Sequence, residues 1–200
     1  MATTEDHGTR QRCAQAAFLS LMSCLGAAYG AEDVSIQATR HETAVAIEAR
    51  ATIKAPFALI WQTLTDYENL PAFIPGIKSS HVVERRGNAV IVEQSGHAGF
   101  LFFTYPIDVV VESFEQPPSS LAIRLLKGNL KQLDGRYRLD KVGGQADVFL
   151  LQWSGIIEPA ISLPFFIAVP LMRSNIADQF TSMVNEIERR AALPANSEPR

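Results

Sequence analysis

The chain lacks cysteine outside its first thirty residues, because Cys13 and Cys24 both lie within that segment. Without this segment the chain can form no internal disulfide and no thiolate site. It also lacks clustered basic residues, since 18 Lys and Arg are scattered among 21 Asp and Glu for a net charge of −3. Nucleic-acid binders concentrate cations against phosphates, so we expect no nucleic-acid partner.

Familiar catalytic and metal-binding motifs are missing too. There is no Gly-x-Ser-x-Gly elbow, phosphate loop or dinucleotide-binding fingerprint. His41, His81 and His97 are far apart and lack the i, i+4 spacing of a zinc site. The sequence therefore predicts no metal and no cofactor.

The N-terminal thirty residues have the pattern of a signal peptide. Arg10 and Arg12 precede an apolar run at 14–28, too short for a confident membrane span, and Gly30 offers a small residue for cleavage. We interpret residues 1–30 as a signal peptide and expect export, to the periplasm in a bacterium. An uncleaved anchor, a first helix of a cytosolic protein and a lipoprotein modified at Cys24 are the alternatives.

The rest of the chain indicates one domain over residues 34–192, followed by a polar tail at 193–200. Alternating apolar residues predict a first strand at 43–54, and Pro56 then suits the start of a short helix. A second helical turn is expected at 66–71. Six further strands are predicted at 77–85, 89–98, 103–115, 121–127, 130–142 and 145–157.

A long amphipathic helix is predicted at 172–191. Its apolar residues recur at intervals of three or four and form one stripe: Met172, Ile176, Phe180, Met183, Val184, Ile187 and Ala191. A helix of this kind after a meander predicts an α+β fold, with a seven-stranded antiparallel sheet wrapped around the helix and two short helices between strands 1 and 2. The stripe alone favours an ordinary filled core, because most helix stripes of this kind are core.

This order of elements resembles the helix-grip fold of the START and Bet v 1 superfamily. The segment from Ala55 to Ser79, with its Asp66-Tyr67-x-x-x-Pro71-x-Phe73-x-Pro75 pattern, is similar to the polyketide cyclase/dehydrase and coenzyme Q-binding branch. The resemblance covers about residues 42–191. It implies a cavity between sheet and helix for a lipid, quinone or polycyclic molecule. Strand alternation and the helix stripe then suggest these ligand-binding residues: Phe73, Tyr105, Val109, Leu125, Tyr137, Trp153, Met172, Ile176 and Phe180.

Two apolar loops are expected at one end of the sheet, since successive turns of a meander alternate between its ends. One contains Phe100 and Phe102, and the other contains Phe165 and Phe166. We interpret them as a lid that touches a membrane transiently, although packing against each other to close the core is an equal alternative.

The sequence thus favours a non-enzymatic carrier of a hydrophobic small molecule. A cyclase- or aromatase-like enzyme is the second interpretation, with His97, Glu93, Tyr105, Asp134 and Arg136 as candidate acid/base residues. A protein-interaction module with a filled core is the third. The pattern names neither the ligand nor the oligomeric state.

Overall fold

A computed structural model describes residues 34–193. The predicted signal peptide, Cys24 and the tail beyond residue 193 lie outside the described residues. The strands are β1 (Ser35–His41), β2 (Ala44–Lys54), β3 (Ile77–Arg86), β4 (Ala89–Phe100), β5 (Phe103–Gln116), β6 (Ser120–Gly128), β7 (Leu130–Lys141) and β8 (Val148–Pro159). The helices are α1 (Phe57–Leu64), α2 (Leu70–Phe73) and α3 (Phe165–Ala192), with a 3-10 turn at Tyr67–Asn69.

The strands form one antiparallel sheet in the order β1-β2-β8-β7-β6-β5-β4-β3. Only the β2–β8 pairing joins strands distant in sequence, because α1, α2 and the meander lie between them. Helix α3 packs against β1, β2, β4 and α1. It buries Leu171, Phe180, Val184 and Ile187, so the predicted stripe faces the sheet. This is the α+β helix-grip arrangement expected from the sequence.

The predicted number of strands is wrong, because the sheet has eight strands rather than seven. The additional strand, β1, pairs along its whole length with β2 from Ser35–Arg50 to His41–Ala44. It is a largely exposed edge strand with few apolar residues, so alternation gave no signal. The tight turn at Glu42 adopts a positive φ of 52° without the glycine that usually marks such a position.

The predicted start of the long helix is also wrong. Helix α3 begins at Phe165 directly after Pro164, and it includes Pro170. The segment expected to be a loop, with Phe165 and Phe166, is therefore the first turn of the helix. Pro170 removes only one backbone hydrogen bond, and the packing of Ala168 and Leu171 in the core offsets that loss. Among residues 34–193 no helix is long and apolar enough to cross a membrane.

Candidate ligand cavity

A cavity with two lobes lies between the sheet and α3. The first lobe, about 110 Å³, is bordered by the start of β3, by β4, β5, β7 and β8, and by α3. The second lobe, about 130 Å³, is bordered by β4 to β8 and by α3. Gln94, Leu133, Ile176 and Gln179 border both lobes. The two lobes are thus neighbouring spaces that share these four wall residues.

The cavity wall has few side chains that can carry a charge. Neither lobe is bordered by Asp, Glu, Lys or Arg, and its titratable side chains are those of His97 and Tyr137. Burial raises the pKa of the Tyr137 hydroxyl well above its usual range. His97 is largely exposed and borders the first lobe. The wall is therefore mostly apolar and free of acidic and strongly basic side chains, with a neutral phenol in the second lobe at physiological pH.

Amide side chains supply most of the other polar surface. Gln94 Nε2 donates to Ser80 Oγ at 3.2 Å, which fixes the Gln94 amide against β3. On α3, Gln179 Nε2 donates to Asn175 Oδ1 at 3.2 Å, one turn apart. These contacts hold two neutral amides on opposite walls of the same cavity.

A close contact between two glycines borders the first lobe beside α3. Gly76 has a φ of +84°, and its carbonyl oxygen accepts a hydrogen bond from His97 N at 2.8 Å. A Cβ on Gly96 would lie 2.0 Å from that same oxygen. The chain entering β3 therefore meets β4 at a distance that only glycine at position 96 permits.

The far end of α3 is fixed by an ionic cluster outside the cavity. Glu186 accepts hydrogen bonds from Arg189 Nε at 2.6 Å and from Arg190 Nε at 2.7 Å. Arg190 Nη2 also donates to Asp66 Oδ2 at 2.9 Å, and its guanidinium lies 5.2 Å from the ring centroid of Phe73. The hydrogen bond from Arg189, followed by that from Arg190, lowers the pKa of Glu186 despite its burial. The cluster anchors the C-terminal part of α3 to the turn before α2.

The opposite end of the molecule exposes apolar side chains. The β4–β5 turn leaves Phe102 98% exposed, and the first turn of α3 leaves Phe166 79% exposed. Phe100 is half-buried against the core. Phe165 is half-buried, and the Arg40 guanidinium lies 4.0 Å from its ring centroid. Strand direction places the β4–β5 turn and the end of β8, from which the chain leads to α3, at the same end of the sheet.

The structure brings most of the predicted ligand-binding residues to the cavity wall. Val109 and Met172 border the first lobe, Ile176 borders both, and the second lobe is bordered by Tyr137, Trp153 and Phe180. Three others lie elsewhere. Phe73 packs under Arg190, Leu125 is half-buried on β6 without bordering either lobe, and Tyr105 donates its hydroxyl to the Asn129 carbonyl oxygen.

Sequence reasoning missed the amides that border the cavity. Gln94 follows Val90 and Val92 at the inward phase of β4, and Gln179 lies beside Ile176 and Phe180 on the buried face of α3. Each glutamine occupies a position where the pattern of its strand or helix otherwise places an apolar residue, and this break in the pattern is the signal that identifies Gln94 and Gln179. Of the candidate acid/base residues, His97 borders a lobe, whereas Glu93, Asp134 and Arg136 are exposed on their strands.

The fold and the cavity together define a helix-grip protein with an internal apolar site. Residues 53–184 match the model of the family described as polyketide cyclase/dehydrase and lipid transport. The chain belongs to this family. The expected superfamily and polyketide cyclase branch are thereby confirmed, while the coenzyme Q-binding branch stays a prediction.

Solved structures with the same fold include a lipid transfer protein and an aromatase/cyclase. The STAR-related lipid transfer protein of Xanthomonas axonopodis is 14% identical with a TM-score of 0.63, over 80% of this chain and 96% of that one. The Zhui aromatase/cyclase of Streptomyces sp. R1128 is 16% identical with a TM-score of 0.58, over 82% and 100%. Human STARD10 is 14% identical with a TM-score of 0.61, over 81% and 71%. Curated proteins gave no significant sequence match.

Proposed function

We propose that this protein binds and carries a hydrophobic small molecule in the cavity between the sheet and α3. The observation that carries the proposal is the cavity wall, which is apolar, has no Asp, Glu, Lys or Arg, and includes a few neutral polar groups. Sites for small apolar ligands have this composition. Membership of a family described by polyketide cyclisation and lipid transport supports the same ligand class.

The size of the cavity constrains how the ligand is held. Lobes of about 110 and 130 Å³ are below the roughly 300 Å³ of a typical ligand pocket. A ligand larger than two or three rings therefore requires α3 to move away from the sheet. We expect this movement in the N-terminal part of α3, where it must displace the buried Leu171 and Met172, because the ionic cluster at Glu186 holds the C-terminal part.

Native mass spectrometry of the protein purified from its own host tests the carrier function directly. The expected result is a stoichiometric apolar molecule that organic extraction releases and identifies. Protein that is empty in repeated preparations, and that takes up no apolar probe added afterwards, would contradict the proposal.

We further propose that the apolar end of the molecule contacts a membrane while the ligand passes. Phe102 and Phe166 are far more exposed than large apolar side chains in a soluble monomer usually are. They lie on the β4–β5 turn and on the N-terminal turn of α3, the end of the helix where we expect the movement. A membrane contact there would bring the lipid phase to the end of the molecule where His97, Ala98 and Met172 border the first lobe.

Export from the cytoplasm is proposed from the leader alone. Arg10, Arg12, the apolar run and the small residues before residue 31 have the order of a cleaved signal peptide. N-terminal sequencing of the protein recovered from the cell envelope is expected to begin close after Gly30. Recovery of an intact N-terminus in the cytoplasm would contradict export.

A cyclase-like activity is the second candidate function, because the titratable side chain of His97 borders the first lobe. An imidazole nitrogen can accept or donate a proton, which is the step that cyclisation of a polyketide-like chain requires. Incubation with a linear poly-β-ketone thioester, followed by mass spectrometry, is expected to show loss of water that His97→Ala abolishes. Unchanged substrate with wild-type protein would leave only the carrier function.

A further inference from the structure

The hydroxyl of Tyr137 differs from those of the other tyrosines in residues 34–193. Tyr67 donates to Glu115 Oε1 at 3.0 Å, and Tyr105 donates to the carbonyl oxygen of Asn129. No hydrogen bond from Tyr137 is found within the described part of the chain. Its ring is half-buried and packs against the core, beside its cross-strand partner Trp153 and on the wall of the second lobe.

A buried hydroxyl without a partner costs free energy, and proteins rarely leave one in that state. The hydroxyl of Tyr137 keeps accessible surface, because no fully buried side-chain oxygen or nitrogen among the described residues lacks a partner. The side chain is half-buried and borders the second lobe, so this surface lies within reach of a molecule in that lobe. A molecule in this lobe is therefore the available partner.

The surroundings of Tyr137 determine the kind of group that it would meet. Gln94 and Gln179 border the same lobe, and each has one amide N–H engaged with a neighbouring side chain. No cationic side chain borders the lobe. A carboxylate or phosphate placed there would lose its hydration and gain no counter-charge, which is unfavourable. A neutral oxygen needs only a hydrogen bond.

We propose that the ligand carries a neutral hydrogen-bonding oxygen, a ketone, quinone or alcohol, which accepts a hydrogen bond from Tyr137 in the second lobe. The inference rests on the proposed carrier function and adds the chemistry of the ligand's polar group and the residue that binds it. The apolar part of the ligand lies among Leu133, Ile176 and Phe180. A charged headgroup is excluded from the cavity and remains outside it in any ligand that has one.

Three naphthalene probes of similar shape test this assignment in isothermal titration calorimetry. They are 2-acetylnaphthalene with a ketone, 2-isopropylnaphthalene with no oxygen and 2-naphthoate with a carboxylate. In the full chain, Tyr137→Phe is expected to weaken ketone binding roughly tenfold, because one buried hydrogen bond is lost. The same variant is expected to change hydrocarbon binding less than about twofold, because the hydrocarbon makes no hydrogen bond. The carboxylate is expected to bind wild-type protein at least tenfold more weakly than the ketone.

A matched control separates a binding role from a structural one. Tyr105→Phe also removes a buried hydroxyl, but that hydroxyl bonds to backbone and borders neither lobe. It is expected to leave the affinity of all three probes unchanged. An equal effect of Tyr137→Phe on ketone and hydrocarbon, or carboxylate binding as tight as ketone binding, would overturn the inference while leaving the carrier function intact. Failure of every probe to bind wild-type protein would count against the carrier function itself.

Discussion

The indole of Trp153 extends over Gly155, two residues further along β8. A Cβ on Gly155 would lie 2.6 Å from Cη2 of Trp153, closer than two carbon atoms approach. Gly135 is the cross-strand partner of Gly155, and a Cβ there would lie 3.2 Å from Cζ2 of the indole. Because neither glycine has a side chain, the indole of Trp153 can lie flat against the sheet at this point. In that position the indole forms one wall of the second lobe.

Gly155→Ala is expected to lower the free energy of unfolding by about 1–3 kcal/mol, since the added methyl group forces the indole out of its site. Urea denaturation followed by tryptophan fluorescence measures the change. The displaced ring is also expected to reduce the affinity for 2-acetylnaphthalene. Gly143→Ala is the control, because a Cβ there meets no atom within 4 Å. Equal stability of the two variants would contradict the packing argument.

Glu186→Gln is expected to lower the free energy of unfolding by about 1–2 kcal/mol near neutral pH, because it weakens charge-assisted hydrogen bonds from Arg189 and Arg190. The pKa of Glu186 is lowered in the folded protein, so the unfolded chain binds the proton more tightly. The stabilisation is therefore fully present above the ordinary glutamate pKa and is lost as the pH falls through the lower, folded value.

Thermal unfolding of wild type and Glu186→Gln between neutral and acidic pH tests that sign. The difference in Tm between the two is expected to be largest near neutrality and to shrink below about pH 4.5. Glu84→Gln serves as the control, since Glu84 pairs with Arg86 on the exposed face of β3. It is expected to change stability by less than about 0.5 kcal/mol. A difference that grows toward acidic pH would refute the assignment.

Replacing both Phe102 and Phe166 with Ser is expected to reduce co-sedimentation with phospholipid vesicles at least tenfold. Full burial of one phenylalanine side chain is worth about 1.5–3 kcal/mol, and both rings are available for insertion. Circular dichroism is expected to show the wild-type fold. Val83→Ser removes an exposed apolar side chain from β3 and is expected to leave vesicle binding unchanged. Vesicle binding by the folded double variant at the wild-type level would exclude the membrane contact.

Ile176→Phe is expected to abolish retention of the co-purified ligand, because Ile176 borders both lobes and a larger ring fills the space between them. The cost in stability is expected to stay within about 1–3 kcal/mol. Native mass spectrometry measures occupancy. Asp178→Phe adds the same ring two residues away on the exposed side of α3 and is expected to retain the ligand. Full occupancy of Ile176→Phe would place the ligand outside this cavity.

Much of the fold was predictable from local patterns. Alternation in β5 and β7 identified Val109 and Tyr137 as inward residues, because a strand has a period of two. Helical spacing identified Met172, Ile176 and Phe180 in the same way. Both faces of β8 are apolar, so alternation did not decide the direction of Trp153. β1 was not predicted, because an exposed edge strand needs no apolar face. The first turns of α3 were not predicted either, because Pro164 and Pro170 are residues that usually indicate a loop.

The sequence by itself determined most of the strands and helices, the buried face of α3 and the family, because these depend on periodicity and on short motifs near Asp66 and Pro71. Only the tertiary structure decided which tyrosine hydroxyl has no hydrogen-bond partner among the described residues. Tyr67, Tyr105 and Tyr137 look alike in the chain, yet two find partners at Glu115 and Asn129. Those partners lie 48 and 24 residues away. Hydrogen bonding between distant residues depends on strand register and sheet curvature, which no local pattern specifies.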